Sequence, residues 1–467
     1  MPSRRPDSRR RIQWSGGAPR DGSRGSVVSY PTALPQRPSH AFNPPPSGDE
    51  LALKLAEPLA RHVIPADGVE VPVAPGAPRT ATGSRLASAL LAYVAAITAV
   101  VTLLPFQFAI PSEPRVMLSG GVVDVLANVA LFVPLGFLYA VARQDASVPL
   151  HKIALVALLA SAAIESIQIF EVTRYASLSD VVANGAGAYI GAGLQRRLSR
   201  RIAMDARTVG RLSLELPLMG LVYLLVPLLW LDGLAGAESE TLLWPLFALG
   251  LFGASLIAAT RRHHFGPHHR VSREMMAGAA CAWFLVGAFP GLAPRASIVL
   301  FVMLTAIGAF VWVRSADEAR ARPINRRFES RALWEGAPFY AAYLLLLVAP
   351  TTVAVAPSWR WSIGFGVRPD LGPGAVLHFV ELVAAFTLLG YMLAEFRGRL
   401  EARFLNSAPH IAAWGGTVAL VAEVLEGFGV NGGASALGWV TLVGASLYGS
   451  WIYHLQRAHV RRLLGRG

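Results

Sequence analysis

The sequence is short of charge, of lysine and of cysteine. Only 15% of its 467 residues are charged while 54% are hydrophobic, with a mean hydropathy of +0.46. A soluble protein of this length would be about a quarter charged, so an ordinary soluble enzyme is excluded and a polytopic membrane protein is expected. Only Lys54 and Lys152 are lysines, and the remaining basic residues are arginines. The net charge of +13 does not point to nucleic acid, because the arginines lie between apolar runs instead of on one basic domain. Placement of that kind reports membrane orientation. A single cysteine, Cys281, stands inside an apolar run, so an intrachain disulfide is excluded.

What is abundant is apolar sequence in lengths near twenty residues, enough to cross a bilayer. Twelve such stretches fall near 86–109, 120–142, 151–170, 180–195, 212–232, 241–260, 275–292, 296–313, 333–356, 374–396, 409–430 and 435–455. The expected class is an all-α integral membrane protein of about 12 transmembrane helices. Ahead of them, residues 1–84 are rich in Arg, Pro, Ser and Gly and cannot bury enough apolar surface to offset chain entropy, so a disordered cytoplasmic tail is expected. This tail lacks the short apolar core of a signal peptide.

Arginines follow the even-numbered stretches. Arg143 and Lys152 come after the second, Arg196, Arg197, Arg200 and Arg201 after the fourth, and Arg457, Arg461 and Arg462 after the last. The segments "PSEPRVMLSG", "LDGLAGAESE" and "GVNGGA" after odd-numbered stretches are poorer in them. The positive-inside rule then puts both termini in the cytoplasm of a cell-membrane protein.

The chain also resembles itself. "DVLANVALFVPLGFLYAVAR" (124–143) aligns with "HFVELVAAFTLLGYMLAEFR" (378–397), matching Phe132 with Phe386, Gly136 with Gly390 and Arg143 with Arg397. "IALVALLASAAIESIQIF" (153–170) aligns with "IAAWGGTVALVAEVLEGF" (411–428), matching Glu165 with Glu423 and Phe170 with Phe428. A Gly-Ala step, Gly187-Ala188 and Gly444-Ala445, is shared by the fourth and twelfth stretches. The expected organisation is a tail (1–84), a four-helix domain (85–200), a four-helix middle region (201–332) and a degenerate second copy of the first domain (333–467). The middle region carries almost no charge at mid-depth and reads as scaffold.

Polar residues inside apolar runs are costly and mark function by default. In the first block, Asp124 and Asn128 stack one turn apart on a helix face, and Glu165 with Gln168 share another. Arg174 falls in the loop "EVTRYASLSD", Asp180 in the first turn of the next helix, and Asn184 one turn deeper. All would converge on the outer leaflet. Glu165 is a candidate base or proton carrier, and Arg174 a candidate clamp for phosphate or carboxylate. The competing reading is a structural network in which these groups satisfy each other across helices. Gly187 and Gly191 have the spacing of close helix packing, and Pro134 beside Gly136 that of a kink.

In the second block, His378 and Glu381 share one helix face, and Glu423 and Glu426 another. A His and three carboxylates could ligate a divalent metal, but only two helices contribute, and no metal or other cofactor is expected. His263, His264, His268 and His269 in "RRHHFGPHHR" lack zinc-finger spacing and read as a solvated basic loop.

The ordered series Asp124–Asn128, Pro134–Gly136, Glu165–Gln168, Arg174, Ser179-Asp180, Asn184-Gly185 and Gly187 resembles the VanZ-like family over roughly residues 90–200. That family takes its name from an accessory protein of glycopeptide resistance associated with teicoplanin. The resemblance makes Asp124, Asn128, Glu165, Gln168, Arg174, Asp180 and Asn184 the family-type polar positions. The second block departs from it, having no counterparts of Arg174, Asp180 and Asn184. The expected function is a non-catalytic cell-envelope protein with an outward polar site. Its partners would be membrane lipid and, by resemblance, an envelope glycan, glycolipid or glycopeptide, with a link to antibiotic resistance. Two alternatives stand beside it: a membrane-embedded enzyme with Glu165 as acid/base and Arg174 on a phosphate, and a transporter.

Overall fold

The computed structural model describes residues 81–104, 106–110, 116–118, 121–143, 148–172, 174–203, 223–236, 243–262, 272–292, 297–316, 328–349, 358–364, 373–398, 403–428 and 433–463. Among them are twelve helices, one for each apolar stretch: α1 (Ala81–Leu103), α2 (Val122–Arg143), α3 (Leu150–Gln168), α4 (Leu178–Ala203), α5 (Tyr223–Gly236), α6 (Leu243–Thr260), α7 (Arg273–Leu292), α8 (Ser297–Arg314), α9 (Phe328–Val348), α10 (Pro373–Gly398), α11 (Phe404–Glu426) and α12 (Ala436–Leu463). The fold is all-α, as composition requires. Six helices, α1, α2, α3, α6, α10 and α11, are long and apolar enough to cross a membrane, while α5 and the apolar part of α8 are shorter. The tail expected over 1–84 lies outside the described residues up to 80, and Ala81 already begins α1. The four-histidine segment also lies outside them.

Gly121 and Asp124 show how local sequence sets a helix start. Asp124 Oδ2 accepts the Gly121 N–H at 3.1 Å, fixing the turn that leads into α2, and its charge faces the positive end of the helix dipole. Arg143 closes the same helix at its negative end and lies over the Tyr139 ring, 5.3 Å from its centroid. After α1 the chain reverses through Phe106, whose φ of 61° is positive, a conformation rare outside glycine.

Helix α4 packs mainly on α2 and α3, and α12 packs in the same way on α10 and α11. Small residues make the approach close. A side chain added at Gly136 would meet the Ala188 carbonyl, and one at Gly390 the Ser446 carbonyl. One at Gly191 would meet Val133 O and Phe137 N, and one at Gly449 meets Thr387 O and Tyr391 N. These contacts correct the expected Gly-Ala match. The partner of Gly191 is Gly449, while Gly444 has open space around it, so the shared step sits one residue out of register.

Four two-residue strands complete the pattern. β1 (Val116–Met117) pairs in parallel with β2 (Ala176–Ser177), and β3 (Trp361–Ser362) with β4 (Ala434–Ser435). A buried core runs along α5, α6 and α9, where Leu224, Leu228, Leu246, Leu249, Phe252 and Tyr343 are fully buried. Helix α1 ties the first block to this core: Tyr93 donates to Leu224 O at 3.2 Å, and Tyr448 of α12 donates to Ala89 O at 2.7 Å. The outer faces of α2 and α3, by contrast, leave Leu126, Leu155, Val156 and Leu159 exposed, apolar surface of the kind a bilayer covers.

Candidate functional site

The polar residues of the first block gather where α3 ends and α4 begins. The C-terminal turn of α3 carries Glu165 and Gln168 inward, both buried. Glu165 Oε2 accepts the backbone N–H of Ser177 at 2.6 Å, so the carboxylate satisfies a donor that the short β1–β2 ladder leaves over. Gln168 Nε2 donates to the Thr102 carbonyl at 2.7 Å, holding α3 to the end of α1. From Ser177 the network continues through the Ser179 hydroxyl at 2.8 Å to Asp180 Oδ1 at 3.3 Å. One turn deeper, Asn184 Nδ2 donates to Ser161 Oγ at 2.8 Å. Its Oδ1 is buried and has no hydrogen-bond donor among the described residues.

Glu165 and Arg174 are close enough to interact through space but form no ion pair. Arg174 is exposed and donates through Nε to the Leu104 carbonyl at 2.9 Å. The reason is geometric: the chain turns back after Phe170 by pairing with the segment beyond α1, with Ala109 N–H donating to Phe170 O at 2.8 Å and Val172 N–H to Gln107 O at 3.0 Å. That pairing brings Arg174 to the Leu104 carbonyl at the end of α1. Asp124 caps its own helix start, and Asn128 makes no hydrogen bond to a described residue, so neither is tied into the cluster around Glu165.

Sequence reasoning missed Glu171. It is 3% exposed, its Oε1 accepts the Gln107 N–H at 2.9 Å, and its Oε2 is buried without a donor among the described residues. In the sequence it looks like one more acid in a polar loop. Its one signal was position, immediately after the apolar Ile169-Phe170 step.

In the second block the expected cluster divides. His378 Nδ1 lies 3.6 Å from Glu381 Oε2, and Nε2 lies 3.3 Å from Glu426 Oε1. Glu423 is not part of this group. Its Oε2 accepts the Ser435 N–H at 2.5 Å, the same contact that Glu165 makes with Ser177. No group of three or more His, Cys, Asp or Glu among the described residues is arranged to hold a metal ion. The middle region also buries an acid: α5 continues through Asp232, which the sequence places in a connecting segment. Asp232 is 1% exposed and its Oδ1 accepts from the Tyr343 hydroxyl at 3.2 Å.

The model of the VanZ/LLP1 family matches residues 80–199, a span that holds α1 to α3, most of α4 and every polar residue of the first cluster. No curated protein and no solved structure matches the chain.

Proposed function

We propose that the first block of this membrane protein, whose residues 80–199 match the VanZ/LLP1 family, binds an anionic envelope lipid or lipid-linked glycan, without catalysing chemistry on it. The observation that carries this reading is Arg174: an exposed guanidinium with no carboxylate ion pair among the described residues, set in an apolar surface. Phe108, Ile110, Met117, Phe170, Val172 and Tyr175 are all exposed around the segments that hold it. A guanidinium engaged through Nε alone keeps its fork of terminal nitrogens for a phosphate or carboxylate, and exposed apolar and aromatic side chains suit the attached chain. The positive-inside pattern supports an outward-facing site on a protein of the cell membrane with cytoplasmic termini.

The enzymatic reading has less support. Acid/base work by Glu165 on a phosphate held by Arg174 needs both groups turned to one substrate, whereas one serves a backbone N–H and the other a backbone carbonyl.

The test uses the full chain in phosphatidylcholine nanodiscs doped with phosphatidylglycerol or undecaprenyl phosphate, with retained lipid counted by native mass spectrometry. Wild type is expected to enrich the anionic lipid, and Arg174→Ala to lose about tenfold of that preference, the ~1.4 kcal/mol of one charge-assisted contact. Arg174→Cys, in a Cys281→Ala background, is expected to react with an impermeant thiol reagent from outside intact cells. Equal retention by wild type and Arg174→Ala would remove the proposed ligand, and labelling only after lysis would turn the site inward.

A further inference from the structure

We propose that Asp232 and Glu381 form a proton-binding site inside the helix bundle, connected to the surface through His378 and Glu426. The site lies outside the first block and does not depend on the lipid reading above.

The geometry begins with α5. Asp232 is 1% exposed, and the titratable groups near it among the described residues include Tyr343, Glu381 and His378. From α9, the Tyr343 hydroxyl donates to Oδ1 at 3.2 Å. Tyr340 of the same helix donates its proton to Ala385 O at 2.5 Å, and Tyr93 of α1 donates to Leu224 O at 3.2 Å. From α10, the Glu381 carboxyl, 2% exposed, lies beside Asp232, close enough to act on its charge. Asp232 Oδ2 has no donor among the described residues.

Two carboxylates cannot donate to each other, and two like charges side by side without water oppose each other strongly. One proton placed between them resolves both problems: it supplies the missing donor and removes one charge. His378 cannot do this in its place. It stands between Glu381 and Glu426, and as a cation it balances one carboxylate of three. The proton therefore belongs to the Asp232–Glu381 pair.

The arrangement also provides a route. The His378 side chain is 35% exposed, while that of Glu381 is 2% exposed. A proton arriving at the imidazole can pass from Nδ1 to the Glu381 carboxylate and on to Asp232, leaving neutral His378 ready to take another. Intramembrane carboxyls with a titratable neighbour serve as proton carriers elsewhere. Here four helices contribute: α5, α9, α10 and α11.

Infrared spectroscopy of the full chain in nanodiscs tests this. Wild type is expected to show a protonated-carboxyl C=O band that shifts in D2O and bleaches reversibly as pH is raised. Asp232→Asn and Glu381→Gln, each able to donate an amide N–H to the remaining carboxylate and so keep the packing, are expected to lose that band in the difference spectrum. His378→Gln is expected to keep the band and slow its exchange in D2O several-fold. Sodium at constant pH is expected to leave it unchanged. A band that survives both acid substitutions, that is absent from wild type, or that never titrates while the protein stays folded overturns the proposal. Loss of the band on adding sodium overturns it in favour of a metal-cation site. Should Asp232→Asn fail to fold, the wild-type titration and the sodium arm decide alone.

Discussion

The first and second four-helix blocks share a latch and differ in what surrounds it. Glu165 accepts the Ser177 N–H at 2.6 Å, and Glu423 accepts the Ser435 N–H at 2.5 Å, in each case from the C-terminal turn of one helix to the strand that opens the next. Backbone crossings at Gly136 and Gly390, and at Gly191 and Gly449, are made to equivalent atoms. Around this frame the polar residues diverge. By the same alignment, Asp124 faces His378, Asn128 faces Leu382, Ser161 faces Ala419, Asp180 faces Gly438 and Asn184 faces Leu442, while Gly432 stands in the sequence where Arg174 does. What recurs serves the fold, and what does not is where a ligand would be selected. On the function proposed above, Glu165 serves the architecture through the contact it shares with Glu423, and Arg174, Glu171 and Asn184 are the residues to test for what is particular to the first block.

The largest effect expected on this comparison comes from the crossings. Gly191→Leu and Gly449→Leu would each drive a side chain into the backbone of the facing helix, which no rotamer change relieves. Both are expected to lose more than about 3 kcal/mol, or to fail to accumulate as folded protein, since overpacking of this kind costs 1–3 kcal/mol even where side chains can yield. Gly193→Ala, with nothing within 4 Å, is the control expected to leave thermal unfolding in detergent unchanged. A mild outcome in one block only would show that the two frames are not equivalent in strength.

Next in size is the latch. Glu165→Ala and Glu423→Ala each strand a buried N–H, expected to cost about 1–3 kcal/mol. The Gln variants, whose amide oxygen still accepts, are expected to recover most of it. Thermal unfolding of the four variants checks the symmetry. If Glu165→Gln abolishes anionic-lipid retention while matching Glu423→Gln in stability, Glu165 has a ligand role beyond the latch.

Particular residues show why some of this was legible in the sequence. Twelve apolar stretches could be seen because hydrophobic length is written directly in composition, and each overlaps a helix. Ends were less visible: 86–109 became Ala81–Leu103, because the return through Phe106 depends on backbone pairing. The partners of the site were hidden for the same reason. Ser177 N–H, Gln107 N–H, and the Thr102 and Leu104 carbonyls are backbone groups and leave no side-chain signature. Glu165 with Arg174 looked like a pair because charge is visible in sequence and backbone acceptors are not. Asp232 was missed since "LDGLAGAESE" reads as a connection, and nothing local distinguishes an acid buried against Glu381 from one facing water.

The smallest expected effect tests whether Asn184 belongs to the fold or to a ligand. Its side chain is 3% exposed, and only its amide N–H groups find a protein partner, Ser161 Oγ at 2.8 Å. The second block fills the matching positions with Leu442 and Ala419, both buried and apolar. That frame therefore packs well without the pair, and a half-satisfied buried amide gives little net stability. Ser161, freed of Asn184, can turn its hydroxyl to a carbonyl one turn back in its own helix. Asn184→Leu with Ser161→Ala is expected to change stability by less than about 1 kcal/mol, because replacing both partners of a buried hydrogen bond by apolar groups is nearly neutral. The double variant is expected to unfold within a few degrees of wild type in ligand-free detergent. In nanodiscs holding phosphatidylglycerol, whose headgroup hydroxyls can donate, wild type is expected to gain stability that the double variant does not, since the orphaned Oδ1 would then have found its donor. Equal stabilisation of both by lipid would assign Asn184 to the fold alone, and the particularity of the first block would rest on Arg174 and Glu171.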